Sequence, residues 1–437
     1  MSEVPTNPLV RGGRIARAGL QAGGNYLRHY VGNAMPGERF RESKEALNRK
    51  NALSLFRELS VLRGAALKLA QGLSLDTGVL PPEFAEVMAN AQYRVPPMNR
   101  AMVRAQFQRI FGKPPEALFR RFDSEAFAAA TIGQVHRAEA QDGQPLAVKI
   151  QYPNVRQSIE SDLRLMKTLV SRLFSGEDLE SHLQEVRERL LEETDYLREA
   201  EHLRHFRSFY SHPQVVVPEL LSELSNERVL TMTRLEGKHL DALLQESPSQ
   251  ELRDQYGQIL WEVFHDHLRL RHFSMHADIH PGNFLFQEGG RVGIIDFGCV
   301  KTFPEEFLES CVLLVQRFLL EDYSAFRQQL QEMRFLQGTA QAKERDDLIY
   351  RILKSLAHVV AQPYQSDHFD FGSPDFQGQL NEVFLEASQL REARGSEHFI
   401  FFNRIVFGLL SLLMKLKARV RTESASVLVR EWPSLLS

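Results

Sequence analysis

Three oxygen-bearing side chains stand at spacings that phosphoryl transfer would use. In the run His276-Ala-Asp278-Ile-His280-Pro281-Gly282-Asn283 an Asp and an Asn lie five residues apart, and Asp296 opens Asp296-Phe297-Gly298 after the apolar stretch 292–295. Transfer of a phosphoryl group needs little covalent help and much positioning: a carboxylate near the attacking oxygen and further oxygens that hold a metal ion against the phosphates. The step from Asp278 to Asn283 has the spacing of the kinase catalytic loop H-R-D-x-x-x-x-N, and a strand before Asp296 would deliver it to a cleft. Asp278 is therefore the candidate catalytic carboxylate, and Asn283 and Asp296 are the candidate magnesium ligands. The tripeptide alone is a weak signal, because Asp370-Phe371-Gly372 repeats it in a polar, Pro-bearing stretch that reads as a loop with no catalytic loop upstream.

Such chemistry also wants a lysine on the strand of a hairpin to hold the α- and β-phosphates. Leu146-Ala-Val-Lys149 supplies it, following an Asp142-Gly143 turn. Its partner is expected on a following helix, where Glu199 stands in the acidic run 190–200; Asp195 and Glu199, four apart, would share one helical face. Ordinarily such a run is a solvated surface, and only order and spacing relative to Lys149 lift Glu199 above that. Met232, in the apolar stretch 229–235, joins the nucleotide-binding set. Where a kinase carries G-x-G-x-x-G, this chain reads Ala128-Ala129-Ala130-Thr131-Ile132-Gly133-Gln134. Alanine takes up positive φ at a cost and keeps the backbone farther from a phosphate, so Ala128, Ala129, Ala130 and Thr131 predict an altered nucleotide contact. After Gly298, Thr302-Phe-Pro304-Glu305 reads as a capping box opening a helix at once. That leaves no room for a peptide-docking activation loop and argues against a conventional protein kinase.

The elements that must position these groups fall into three parts: 1–115, a basic arm and helical extension; 116–235, a smaller lobe with a hairpin and a helical insert; 236–437, a helical lobe holding the catalytic loop. Residues 45–74 and 82–111 are helix-patterned, 122–151 read as strands, 154–211 as helices, 215–221 and 229–235 as short strands, and nearly all beyond 249 as helix except 283–296. His272, His276 and His280 recur every fourth residue, but Pro281-Gly282 ends any helix, and a metal hydrolase would leave Asp278 and Asn283 unexplained. His265 and His267 read as surface or satisfied core residues. Cys299 beside Gly298 is either an oxidisable thiol or, more ordinarily, a buried inert one.

Fifty-three basic against 56 acidic residues give a net charge of −3 over 437 residues, so no bulk attraction to nucleic acid is built in. Two cysteines suit a reducing, cytoplasmic compartment. No apolar run reaches the eighteen or so residues of a membrane span. Residues 4–37 lack acids and carry Arg11, Arg14, Arg17 and Arg28 beside Leu20, Tyr26, Leu27 and Tyr30; they would either rest on an anionic membrane or form a frayed basic arm.

Together these pieces resemble the UbiB family of atypical kinases over about residues 50–420. Its K-x-G-Q signature is met by Lys68-Leu-Ala70-Gln71 with Ala70 in place of Gly, its Ala-rich loop by residues 128–134, and its E-x-D motif by Glu193-Thr-Asp195. The soluble mitochondrial-type branch is the nearer match. The resemblance implies an α+β, protein-kinase-like two-lobed fold, in which the K-x-G-Q helix covers the place of a protein substrate. Lys68, Gln71, Glu193 and Asp195 are then gating residues. It further implies Mg-ATP binding, slow hydrolysis or small-molecule phosphorylation rather than protein phosphorylation, and partners among isoprenoid or quinone-precursor lipids, quinone-biosynthesis proteins and a membrane periphery. A nucleotide-gated scaffold without useful turnover and a metabolite kinase are the alternatives.

Overall fold

The structure, a computed structural model, describes residues 44–62, 98–129, 132–173, 179–387 and 397–432. The chain forms two compact units, one comprising the chain up to Glu201 with Glu219–Arg234, the other His202–Pro218 with everything from Leu235. Among the described residues no helix is long and apolar enough to cross a membrane.

In the first unit α1 (Lys44–Leu62), α2 (Arg100–Phe111) and the single turn α3 (Pro115–Leu118) precede β1 (Arg121–Ala129), β2 (Gly133–Glu139) and β3 (Pro145–Gln151). The Asn99 side chain accepts the Met102 N–H at the start of α2, and Gly112 at φ +68 closes it, a residue suited to both ends by type. Alternation makes β3: Leu146, Val148 and Ile150 are all fully buried. At the turn before it, Gly143 has φ +91 and the Gln144 N–H donates to Asp142 Oδ1 at 2.9 Å. Helices α4 (Val155–Leu173) and α5 (Leu179–Glu193) follow, then α6 (Tyr196–Phe209), which belongs to this unit only up to Glu201. The two-residue strand β4 (Val215–Val216) belongs to the second unit, and β5 (Val229–Thr233) completes the first unit's antiparallel sheet of order β1-β2-β3-β5. β1 falls within the stretch 122–151 read as strands although Arg-Phe-Asp-Ser-Glu-Ala-Phe lacks a clean period of two; its pairing with β2 is correspondingly irregular between Phe122 and Ala128.

The second unit contains α7 (Leu240–Gln245), α8 (Gln250–Arg269), β6 (Ser274–His276), β7 (Phe284–Gln287), β8 (Arg291–Ile294) and β9 (Val300–Thr302). It continues with α9 (Glu305–Leu319), α10 (Tyr323–Glu332), α11 (Lys343–Ala361), β10 (His368–Asp370), α12 (Pro374–Ala387), α13 (Glu397–Leu416), β11 (Arg419–Arg421) and α14 (Glu423–Arg430). β7 and β8 form a hairpin whose turn glycines, Gly289 and Gly290, have φ +74 and +73, and β4 runs parallel to β8. β6 pairs antiparallel with β9, and β10 with β11; three-residue strands are too short to display a period, so the sequence concealed all four.

Two expectations are corrected, and the rejection of a helix that stacks the three histidines holds. Asp370 is not in a loop: it ends β10 opposite Arg419, and fully buried Phe371 packs 5.6 Å from the Trp261 ring, so the second Asp-Phe-Gly is a core plug. The helix at Glu305 opens without a capping box, because Thr302 is spent in β9 and Pro304 at the cap position offers no side-chain bond. His272, His276 and His280 share no helix: α8 ends at Arg269, Arg271 turns at φ +50, His276 ends β6, and His280 caps the single 3-10 turn Pro281–Asn283.

Candidate active site

In the first unit, Lys149 is carried by β3 between the buried Val148 and Ile150, on the opposite face of the strand. Its Nζ lies 2.8 and 2.9 Å from Glu199 Oε1 and Oε2 and 5.2 Å from the centre of the Tyr196 ring. The two side chains are only 11% and 4% exposed, so the pair is made in a desolvated place. The helix bearing Glu199 differs from expectation. α5 stops at Glu193, and Gln151 Nε2 donates to the Thr194 carbonyl at 2.8 Å. Asp195 then starts α6, its Oδ1 accepting the Arg198 N–H at 3.1 Å. Asp195 and Glu199 therefore do not share a helical face; the first caps the helix that presents the second.

Met232 pairs with Ala147 and Leu230 with Lys149, so Met232 sits on the sheet face of Lys149, 7% exposed. Ala128 and Ala129 end β1 opposite Val135 and Gln134. Gly133 is required by close packing: a Cβ there would lie 2.4 Å from the Ile150 carbonyl oxygen. Lys68, Gln71, Ala130, Thr131 and the basic stretch 4–37 lie outside the described residues.

The second unit brings Asp278, Asn283 and Asp296 together. Asn283 Nδ2 donates to the Asp278 carbonyl at 2.9 Å and to Asp278 Oδ2 at 3.0 Å, which turns the amide oxygen, a hard donor, away from the carboxylate. Asp296 Oδ1 accepts the Gly298 N–H at 2.8 Å. Sequence reasoning passed over the residue that ties these loops. His276, 3% exposed, accepts the Asp278 N–H at Nδ1 over 3.2 Å; that nitrogen must carry a lone pair, so the proton is on Nε2, which donates to the Asp296 carbonyl. The signal was available as the first letter of the H-x-D triplet. Arg404, on α13, contacts Asp278 Oδ1, and no local pattern announced it.

Behind these loops lies a histidine cluster. His205 Nε2 is 2.5 Å from His272 Nε2, His272 Nδ1 is 3.2 Å from His267 Nδ1, and the Tyr210 hydroxyl is 3.2 Å from His267 Nε2. Burial pushes His267 down to about 3, with neighbouring His272 adding to it, and burial pushes His265 down to about 4. Both are core residues: His265 is satisfied by the Trp261 carbonyl and the Tyr364 hydroxyl. Cys299 is half-buried, and burial raises the Cys311 thiol.

Residues 90–330 match the ABC1 atypical kinase-like domain. The chain belongs to the ABC1, or UbiB, family. It is 29% identical over 385 residues to the Caenorhabditis elegans protein "Atypical kinase coq-8, mitochondrial", an alignment that covers 86% of this chain and half of that one. It is 30% identical over 386 residues to the rat "Atypical kinase COQ8B, mitochondrial", covering 85% and 70%. The solved erythromycin complex of Rv3197 from Mycobacterium tuberculosis superposes with a TM-score of 0.62 at 29% identity, over 87% of this chain and 96% of that one. The ABC1-family chain thus has the protein-kinase-like, two-lobed α+β fold.

Proposed function

We propose that this protein is an atypical kinase of the UbiB type that binds Mg-ATP through these residues and slowly hydrolyses it in support of isoprenoid-quinone lipid biosynthesis. The observation that carries the reading is the buried Lys149–Glu199 pair, because an ammonium held by two carboxylate oxygens on a strand is a ready phosphate clamp. In this reading Asn283 and Asp296 hold magnesium. Their donor set, one amide and one carboxylate oxygen, is the hard type that magnesium takes alongside phosphate oxygens. When bound, the ion neutralises charge on the phosphates. Asp278 orients the attacking hydroxyl or water, and His276 keeps the two loops in register. A helix that begins at Glu305, soon after Gly298, favours a small acceptor over a protein segment. Met232, on the face of Lys149, lines the nucleotide; Ala128, Ala129, Ala130 and Thr131 bound it, and Lys68, Gln71, Glu193 and Asp195 act at the gate.

The test is phosphate release from Mg-ATP, with and without vesicles carrying a quinone-like lipid, by the wild type and Asp296→Asn. Release that depends on Asp296 and rises with the lipid is expected; equal release from both proteins removes the ATPase. The scaffold reading draws on a specific contact, since both oxygens of Asp278 are already engaged, by Arg404 and Asn283. It predicts nucleotide binding without release.

A further inference from the structure

Arg404 lies 126 residues beyond Asp278, yet its Nη2 meets Asp278 Oδ1. The contact is not that of a long side chain reaching from afar. One turn further along α13, Gly408 comes so near the catalytic loop that a Cβ would lie 2.4 Å from the Ile279 carbonyl oxygen. Ile405 and Leu409 line, with His276 and Ile279, a cavity of about 30 Å³, room for roughly one water. Residues 404, 405, 408 and 409 form one helical stripe, so the stripe that docks on the loop is the one that projects Arg404.

Stability does not explain the pair. Arg404 and Asp278 are 39% and 33% exposed, and ion pairs so open to solvent contribute at most about 1 kcal/mol. Orientation does. Asn283 fixes Oδ2 and the docked guanidinium fixes Oδ1, so the carboxylate is held at both ends. Phosphoryl transfer asks a carboxylate in this place to aim the attacking oxygen more than to take its proton, and a paired carboxylate aims well.

We infer that Arg404 is a positioning residue for phosphoryl transfer, acting through Asp278 to hold the attacking group in line. This rests on the hydrolysis proposed above. The full chain is tested with radiolabelled ATP as Arg404→Met, Arg404→Lys, Asp278→Asn and Asp278→Asn combined with Arg404→Met, with a melting scan, with and without Mg-nucleotide, on each. Loss of aim predicts that Arg404→Met lowers kcat by about 10- to 100-fold with KM for ATP within about twofold. Arg404→Lys recovers part of kcat. In the Asp278→Asn background, adding Arg404→Met changes turnover less than about twofold, because the group it acts through is gone.

Wild-type turnover in Arg404→Met, a raised KM at unchanged kcat, or a full further loss in the Asp278→Asn background each overturns the inference. Should Arg404→Met lose its melting transition, Arg404→Gln takes its place in the same cycle. Wild-type protein that shows a Mg-nucleotide melting shift but no turnover overturns the positioning role and leaves nucleotide binding standing. Absence of both removes the proposed function as well.

Discussion

Lys149 Nζ sits within 3 Å of both carboxylate oxygens of Glu199, fifty residues on. At 11% and 4% exposure each charge depends on the other, and removing one partner of a buried pair costs about 3–5 kcal/mol. Lys149→Ala is therefore expected to lower the melting temperature by several degrees and to abolish the further rise given by Mg-ATP. Glu199→Gln, which keeps shape and a hydrogen bond, should destabilise less. A Mg-ATP shift that persists in Lys149→Ala would move the phosphate clamp elsewhere.

Asp296→Asn separates charge from fold. The amide oxygen can still accept the Gly298 N–H, so the melting temperature should stay close to wild type. Loss of the anionic ligand should cut phosphate release by about 10²-fold or more. Unchanged release would remove Asp296 from the chemistry.

His276→Phe retains a ring against Phe297, now 5.5 Å away, but cannot accept the Asp278 N–H or donate to the Asp296 carbonyl. Stranding each backbone group costs about 1–3 kcal/mol. The variant should melt earlier and turn over more slowly, and a denaturant titration alongside an ATPase assay reads both. Activity at the wild-type level in a folded variant would show that the two loops hold their register unaided.

The catalytic loop was legible because its residues are close in sequence: Asp278 and Asn283 meet across five positions, and Asp296 lies at the end of a hairpin. The Lys149–Glu199 pair was legible through strand alternation and order along the chain. Arg404 was not, since a contact spanning 126 residues between a helix and a loop leaves no local spacing to read. Asp195 misled for the opposite reason. Its spacing from Glu199 suited one helix face, but the backbone broke at Thr194 and turned Asp195 into a cap. In the Asp370-Phe371-Gly372 copy the Gly372 N–H likewise donates to Asp370 Oδ1 at 2.8 Å, yet its carboxylate faces Arg419 at 3.6 Å.

The buried histidines predict acid sensitivity. Held down to about 4 and about 3, His265 and His267 stay neutral in the folded chain under conditions where the unfolded chain, titrating near 6.5, takes up protons. Their contribution is fully present above pH 6.5 and is lost at about 1.4 kcal/mol per pH unit per ring as pH falls from there toward 4. Urea unfolding at pH 7, 6 and 5 measures the slope, and His267→Gln should flatten it by one ring's share. Parallel slopes for variant and wild type would show that His267 already carries a proton when folded.

The docking of Gly408 on the Ile279 backbone and of Arg404 on the Asp278 carboxylate has a consequence for biosynthesis. A nascent polypeptide that has left the ribosome only as far as residue 390 already contains every motif letter of the catalytic loop, but not the helix that clasps it. Competence would therefore arrive late in translation, after the clasp emerges, and a premature stop between codons 299 and 404 would yield a product whose motifs are intact and whose aim is lost.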